Sequence, residues 1–209
     1  MYRPPAFRED RLDVLHALIR ARPLANLVTM GDGGLQASLI PFLIEAQPGG
    51  PGLLRAHLAR ANDQTEALRA GGEALVIFQG PQAYVSPSWY PAKAEHGRVV
   101  PTWNYITVQA WGRPRVIDDP AWLRGQVGDL TDAQEAGRAQ PWTVEDAPQA
   151  FVEAQLRAIV GLEIPIDRIE GKWKLSQNRS AADRAGVAEG YEVEGLAEMA
   201  AAVREAGTD

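Results

Sequence analysis

Two glycine-rich turns constrain the fold of this chain more than any other feature. Gly31-Asp32-Gly33-Gly34 and Gln47-Pro48-Gly49-Gly50-Pro51-Gly52 separate three runs of strand character: Leu24 to Met30, Leu35 to Glu45 and Leu53 to His57. Connections this short join antiparallel neighbours, because a parallel pair needs a crossover of about a dozen residues or more. Glycine supplies the positive backbone angles that such turns use. The first third of the chain is therefore expected to be an antiparallel meander. A helix should precede it from Arg11 to Arg22, where Leu12, Leu15, Leu18 and Ile19 share a face and Pro23 ends the run.

The remaining segments extend that pattern. Asn62 to Ala70 reads as a short helix with Asn62 as its cap. Ala74 to Phe78 is apolar on both faces and so central, and Ala83 to Ser86 is expected to pair nearby. Thr102 to Ile117 is rich in aromatic and β-branched residues but interrupted by Gly112 and Pro114, the mark of a bulged strand. Helices are expected from Pro120 to about Glu135 and from Pro148 to Val160. Strands should follow at Gly161 to Ile169 and Lys172 to Ser176, then a helical tail from Ala181 to Ala206. The expected architecture is mainly β with peripheral helices. It forms one domain over 1–209, with a helical insertion at about 119–160 and a tail at about 181–206. A barrel explains this order better than a parallel sheet, which needs regular strand–helix alternation.

Composition removes several function classes. The 209 residues are enough to bury a core without staples. There is no cysteine, so disulfides, thiol nucleophiles and cysteine-bound metals are excluded. The formal net charge of −6 argues against direct binding of DNA by bulk electrostatics. No apolar run approaches the roughly 18 residues of a membrane span, and the start lacks a signal-peptide core, so a cytoplasmic location is expected. Among the three histidines, His16, His57 and His96, no pair has ligand spacing, so no metal site is expected. The chain has no G-x-G-x-x-G, P-loop or G-x-S-x-G motif.

Three stretches carry candidate chemistry. Between Ser86 and Trp111 lie Trp89, Trp103, Trp111, Tyr90 and Tyr105, which suit a planar ligand or simply fill a core. His57-Leu58-Ala59-Arg60-Ala61-Asn62 ends a strand and opens a helix, a place suited to a phosphate, although Asn62 has sufficient reason to be there as a cap. Lys172-Trp173-Lys174 holds two of only three lysines. Alternation puts both ammonium groups on one strand face, where a solvated strand end would explain them nearly as well.

Taken in order, these stretches resemble the PaiB-type FMN-binding negative transcriptional regulators. The opening Met1-Tyr2-Arg3-Pro4-Pro5-Ala6-Phe7 is similar to M-Y-x-P-x-x-F, and His57 to Asn62 to H-x-A-x-A-N. Phe78-Gln79-Gly80-Pro81-Gln82-Ala83-Tyr84-Val85-Ser86 resembles F-Q-G-P-x-A-Y-[IV]-S. Val100 to Tyr105 matches V-P-T-W-N-Y, and Lys174 to Arg179 matches K-L-S-Q-N-R. Two places depart from the family pattern. Leu39 stands where A-T-H-L-P has histidine, and Asp63-Gln64-Thr65 replaces the P-Q-W of A-N-P-Q-W.

The resemblance implies an FMN-binding split β-barrel of the flavin-reductase or pyridoxamine-phosphate-oxidase type, normally a homodimer with FMN between subunits. It implies cofactor contacts from His57, Arg60 and Asn62, with Arg60 and Asn62 at the phosphate end. Thr102, Trp103, Asn104 and Tyr105 would flank the ring or support the interface, and Lys174, Ser176 and Gln177 would reach across from the partner. Three functions remain open: a PaiB-like regulator with flavin as cofactor or redox input, an FMN-dependent oxidoreductase, and a dimer that has lost FMN. No catalytic residue is identified.

Overall fold

A computed structural model describes residues 1–207. In chain order it contains β1 (Arg8–Glu9), α1 (Leu12–Ala21), β2 (Leu24–Gly31), β3 (Gly34–Pro41), β4 (Leu43–Glu45), β5 (Leu53–Ala59), α2 (Gln64–Arg69), β6 (Ala74–Val85), α3 (Ala92–His96), β7 (Thr102–Gly112), β8 (Arg115–Ile117), α4 (Pro120–Glu135), α5 (Gln149–Arg157), β9 (Ile159–Lys174), α6 (Ala181–Val193) and α7 (Ala197–Glu205). The hydrogen-bonded strand order is β3-β2-β6-β7-β9-β5-β4, with β1 and β8 also on β9. The chain divides into two compact units. The first is Leu12–Phe78 with Gln109–Ile169; the second is Met1–Arg11, Gln79–Val108 and the chain from Glu170. Strands β6, β7 and β9 each pass from one unit into the other.

In the first unit the expected hairpin is present, with β2 and β3 in register from Leu24↔Pro41 to Gly31↔Gly34. The run Leu35 to Glu45, expected as one strand, is two. Pro41 has no N–H to continue a ladder, and Phe42 instead turns its side chain into the core against Phe78, ring centroids 5.9 Å apart. The chain thereby leaves β2 and pairs β4 with β5. Pro114 breaks the Thr102 to Ile117 run in the same way, and β8 then pairs with β9. A Cβ at Gly112 would lie 2.1 Å from the Pro165 carbonyl, so glycine is needed where β7 closes on β9.

Two expected breaks do not occur. Ala74 to Phe78 and Ala83 to Ser86 join into β6 through Gly80-Pro81, and the two closing segments join into β9. The expected tail helix is two helices instead, because Gly195 takes φ +76° after α6. Helix α4 starts at Pro120 as expected, with Asp119 Oδ1 accepting from the Ala121 N–H at 2.9 Å. Leu123 of α4, Val144, and Val152 and Leu156 of α5 bury a small core of their own. Trp122 lies over Gly161 and donates Nε1–H to Glu163 at 3.0 Å.

In the second unit, α6 presents Gly190 to the ring of Trp89, and Trp89 meets the buried Tyr191 edge-on at 5.2 Å. The helix can approach that closely only because Gly190 has no side chain.

The contact at Gly161 yields a stability prediction. A Cβ there would sit 2.2 Å from Trp122 Cζ3. Gly161→Ala is expected to lose about 1–3 kcal/mol in urea unfolding, the usual cost of overpacking. Gly33→Ala, where a Cβ meets nothing within 4 Å, should stay within about 0.5 kcal/mol of the parent.

Candidate functional site

The candidate residues fall into two groups, one in each unit. In the first unit, β5 ends at Ala59 and the chain turns through Arg60-Ala61-Asn62-Asp63 into α2. This turn, the β2–β3 turn at Gly31 to Gly33, Gln36 of β3 and the α2 residues Thr65, Glu66 and Arg69 line a groove of about 830 Å³. Asn62 lies just before the cap position of α2: its Oδ1 accepts from the Gln64 N–H at 2.9 Å, and its Nδ2 donates to Ser38 Oγ at 3.0 Å. The helix thus begins later than expected, with Asp63 and not Asn62 at its cap position, and Asn62 braces the first turn from the groove wall.

Arg60 is held firmly. Its Nε and Nη2 donate to the carbonyls of Arg157 and Ile159 at 3.1 and 2.9 Å, and its Nη1 donates to Asp118 at 2.6 Å. Arg69 donates to the other Asp118 oxygen at 2.7 Å. The Arg60 guanidinium, with Arg69 beside it, holds the Asp118 carboxyl below the usual carboxylate range.

Two atoms of the groove residues stand out because nothing satisfies them. Thr65 is only 6% exposed, yet its Oγ1 has no hydrogen-bond partner, and neither has Gln36 Oε1. Gln64 is buried behind them, donating Nε2–H to Thr29 Oγ1 at 2.9 Å and to the Leu27 carbonyl at 3.0 Å while its Oε1 is unpartnered. Unfilled buried polar atoms cost free energy unless something else pairs with them. His57 is outside the groove lining, its Nδ1 paired with Gln126 Oε1 at 2.7 Å.

In the second unit, strand β7 and the end of β9 bring Thr102, Trp103, Asn104, Tyr105, Lys174 and Ser176 together. The Lys174 ammonium donates to Thr102 Oγ1 at 2.5 Å and to the Trp103 carbonyl at 2.6 Å. Asn104, fully buried, donates Nδ2–H to Ser176 Oγ at 3.0 Å. Ser176 has φ +66°, alone among non-glycine residues described; this turns the chain out of β9. Gln177 folds back onto the strand end, donating to the Trp173 carbonyl at 2.6 Å and accepting from the Leu175 N–H at 2.7 Å. The motifs around Val100 and Lys174 thus meet as one hydrogen-bonded assembly.

The outer face of this assembly is aromatic and cationic. Trp103 and Tyr84 are half-exposed and meet edge-on at 6.1 Å. Both Lys172 and Lys174 stand over the Tyr105 ring, at 5.2 and 5.9 Å. Burial pushes the Lys174 ammonium below its ordinary pKa, and the charges of Lys172 and Arg179 push the same way. Sequence reasoning noticed Lys172 by spacing but did not place it in the site. Gln36 and Arg69 went unnoticed, and Thr65 drew notice only as a departure from the family pattern, because β3 and α2 are distant in sequence and only the fold gathers them.

The shared carboxylate gives a pH prediction. A carboxyl whose native pKa is lowered contributes stability above its unfolded pKa, and that contribution is lost as pH falls through the native value. Asp118→Asn should therefore lower the thermal midpoint near pH 7, and the gap to the parent should close on acidification below about pH 3.8, the ordinary aspartate value, as pH falls through the lowered native one. A gap that persists there would show that the carboxylate charge is not what Arg60 and Arg69 use.

Comparison with known proteins fits this geometry. Residues 1–168 match the family described as "Putative FMN-binding domain". The chain is 36% identical to an uncharacterized protein of Emericella nidulans, over 92% of this chain and 90% of the relative. It is 29% identical to the protease synthase and sporulation protein PAI 2 of Bacillus subtilis, over 90% and 88% of the two chains. Among solved structures, the FAD and heme binding protein of Mycobacterium smegmatis superposes with TM-score 0.59 at 21% identity, covering 88% of this chain and 80% of that one. The flavocytochrome Anf3 of Azotobacter vinelandii gives 0.58 at 17%, covering 80% and 69%. At these identities the likeness speaks for the fold alone, and the fold is the split barrel.

Proposed function

Because the chain belongs to the PaiB-type family of FMN-binding domains, we propose that it binds FMN and acts as a homodimeric, flavin-dependent regulator of transcription. The observation that carries the reading is the groove beside Arg60. FMN presents a dianionic phosphate, a chain of hydroxyls and a flat ring. Arg60 and Arg69 suit the phosphate, and the unpartnered Thr65 Oγ1 and Gln36 Oε1 suit hydroxyls. From the other subunit, Trp103 and Tyr105 suit the ring, and the Lys174 ammonium bonded beside them suits a second contact to an anionic group. The donor set fits the cofactor. When bound, FMN supplies one- and two-electron chemistry; these residues hold it, orient it and balance its charge.

Two further observations support the regulator as an indirect, dimeric one. The net charge of −6 favours action through another protein over a direct hold on DNA. Strand β3 ends the strand order, and Leu35 and Leu39 on it, with Leu24 and Met30 of β2, form an exposed aliphatic face. An edge strand with such a face invites a second copy. Leu39, where the family pattern has histidine, adds to that apolar face. An FMN-dependent oxidoreductase is the second reading; the half-exposed Trp103 beside Tyr105 favours it, leaving room for a small substrate.

Titration of Arg60→Ala and Lys174→Ala with FMN and with riboflavin tests the cofactor reading. Each change should weaken FMN by about ten- to a hundred-fold, since a charge-assisted hydrogen bond contributes roughly 1.5–3 kcal/mol. Riboflavin, lacking the phosphate, should respond little; equal losses for both flavins would remove the phosphate assignment. Light scattering of the parent should give a dimer and Leu39→Asp a monomer, and a monomeric parent at micromolar concentration would refute the shared site.

A further inference from the structure

One residue of the groove holds both ends of the helical insertion. The insertion leaves β8 at Asp118 and returns to the sheet at Ile159, the first residue of β9. At the outgoing end the Asp118 carboxylate accepts from Arg60 Nη1 at 2.6 Å and from Arg69 Nη2 at 2.7 Å. At the returning end Arg60 donates Nε–H to the Arg157 carbonyl at 3.1 Å and Nη2–H to the Ile159 carbonyl at 2.9 Å. Its backbone N–H donates to the Ala158 carbonyl at 2.8 Å. Arg60 and Arg69 also line the groove, and all of these residues lie in the first unit. The neighbouring Asp119 caps α4, so a shift of Asp118 reaches the first turn of that helix directly.

Between its two ends the insertion can shift as a piece. Leu123, Val144, Val152 and Leu156 give it a core of its own. Polar contacts join α4 to the strands beneath it: Trp122 to Glu163, Gln126 to His57 and Asp129 to Arg55. Gln126 is fully buried there, yet its Nε2 has no partner, so the seat beneath α4 is incompletely bonded. The Arg60, Asp118 and Arg69 side chains are each about half-exposed, where an anion from solvent can compete for the two guanidiniums.

We infer that a phosphate monoester bound through Arg60 and Arg69 releases Asp118 and loosens the helical insertion, so that occupancy of the groove is transmitted to α4 and α5. The inference rests on the phosphate assignment above and adds a regulatory consequence to it. The phosphate takes donors of the same two guanidiniums and repels the carboxylate between them, so phosphate and Asp118 oppose each other. Such coupling is reciprocal: as the phosphate weakens the hold on Asp118, Asp118 weakens the hold on the phosphate by the same factor. Arg60 is the positioning residue of this device, because it alone touches both ends of the insertion and the groove.

Hydrogen exchange on the full chain, read in peptides spanning 118–135 and 149–158, tests it with FMN, inorganic phosphate and riboflavin as probes. Saturating FMN should speed exchange in both stretches, and inorganic phosphate should do the same at higher concentration. Riboflavin, which has no phosphate, should not. Asp118→Asn should show the faster exchange without ligand and should bind FMN about fivefold or more tightly than the parent, the lower end of typical coupling. Glu66→Gln removes a groove carboxylate outside the Arg60–Asp118–Arg69 contact and should leave exchange in the insertion at the parent's rate. If FMN binds the parent while exchange in the insertion stays the same or slows, the inference falls and the FMN reading stands. Equal speeding by riboflavin, or an Asp118→Asn chain that binds FMN no more tightly, would overturn it as well. If FMN does not bind but inorganic phosphate speeds exchange, the FMN reading falls and the coupling stands; if neither binds, both fall. The three probes on the parent decide the question even where Asp118→Asn fails to fold.

Discussion

The unbroken pairing of β9 is the constraint on which the rest depends. Sixteen residues, Ile159 to Lys174, run as one strand, and their backbone groups must be paired along the whole length. Residues 159–165 pair with β5 from Ala59 to Leu53, Gly161 to Glu163 also with β8, and Gly171 and Lys172 with β1. The first part of the strand belongs to the first unit and its last five residues to the second. Each candidate group is anchored to one end. Arg60 grips the strand's first carbonyl, that of Ile159, and Lys174 is its last residue. A slip of register by one residue would turn Lys172 and Lys174 to the opposite face and would carry Ile159 away from Arg60.

Local chemistry in the sequence reads well where a single residue decides the backbone. The β2–β3 hairpin follows from its glycine turn, the start of α4 from Asp119-Pro120, and the split of β7 from β8 from Pro114. It reads poorly where the partner decides. Gly80-Pro81 looks like a break, yet β6 continues through it, and Gly171 sits inside β9 because β1, a strand of two residues, pairs with it. Strand pairing overrides local preference in such places. The reverse holds at Pro41-Phe42, where an apolar run that looks continuous divides because Phe42 points into the core.

The site shows the same division. The motifs holding Thr102, Asn104, Tyr105, Lys174 and Ser176 were legible, although the resemblance implied Lys174 and Ser176 of the partner, whereas in the structure they bond Thr102 and Asn104 of the same chain. The turn at Ser176 was not, since a left-handed serine has no signature of its own and exists here because the buried Asn104 amide holds its hydroxyl. The groove was half legible. Arg60 and Asn62 are contiguous in the chain, whereas Gln36, Thr65 and Arg69 become neighbours only after β2, β3 and α2 fold together. The signal of Gln36 and Thr65 is the absence of a partner, which no sequence displays.

The two candidate groups manage charge in opposite ways, and that difference bears on what each can bind. Arg60 and Arg69 share Asp118, so their positive charge is partly offset within the chain, and an incoming phosphate must compete with a carboxylate already present. The compensation is positional: a guanidinium fixed by two carbonyls and one carboxylate loses little freedom when it takes up a further acceptor. Among the described residues Lys174 makes no ion pair: the Thr102 hydroxyl and the Trp103 carbonyl hold its ammonium, and burial keeps its pKa below the ordinary value. The first arrangement favours geometric selectivity, because the guanidinium accepts only what fits its remaining donors. The second favours attraction, because a point charge held by neutral acceptors keeps its charge for an incoming anion.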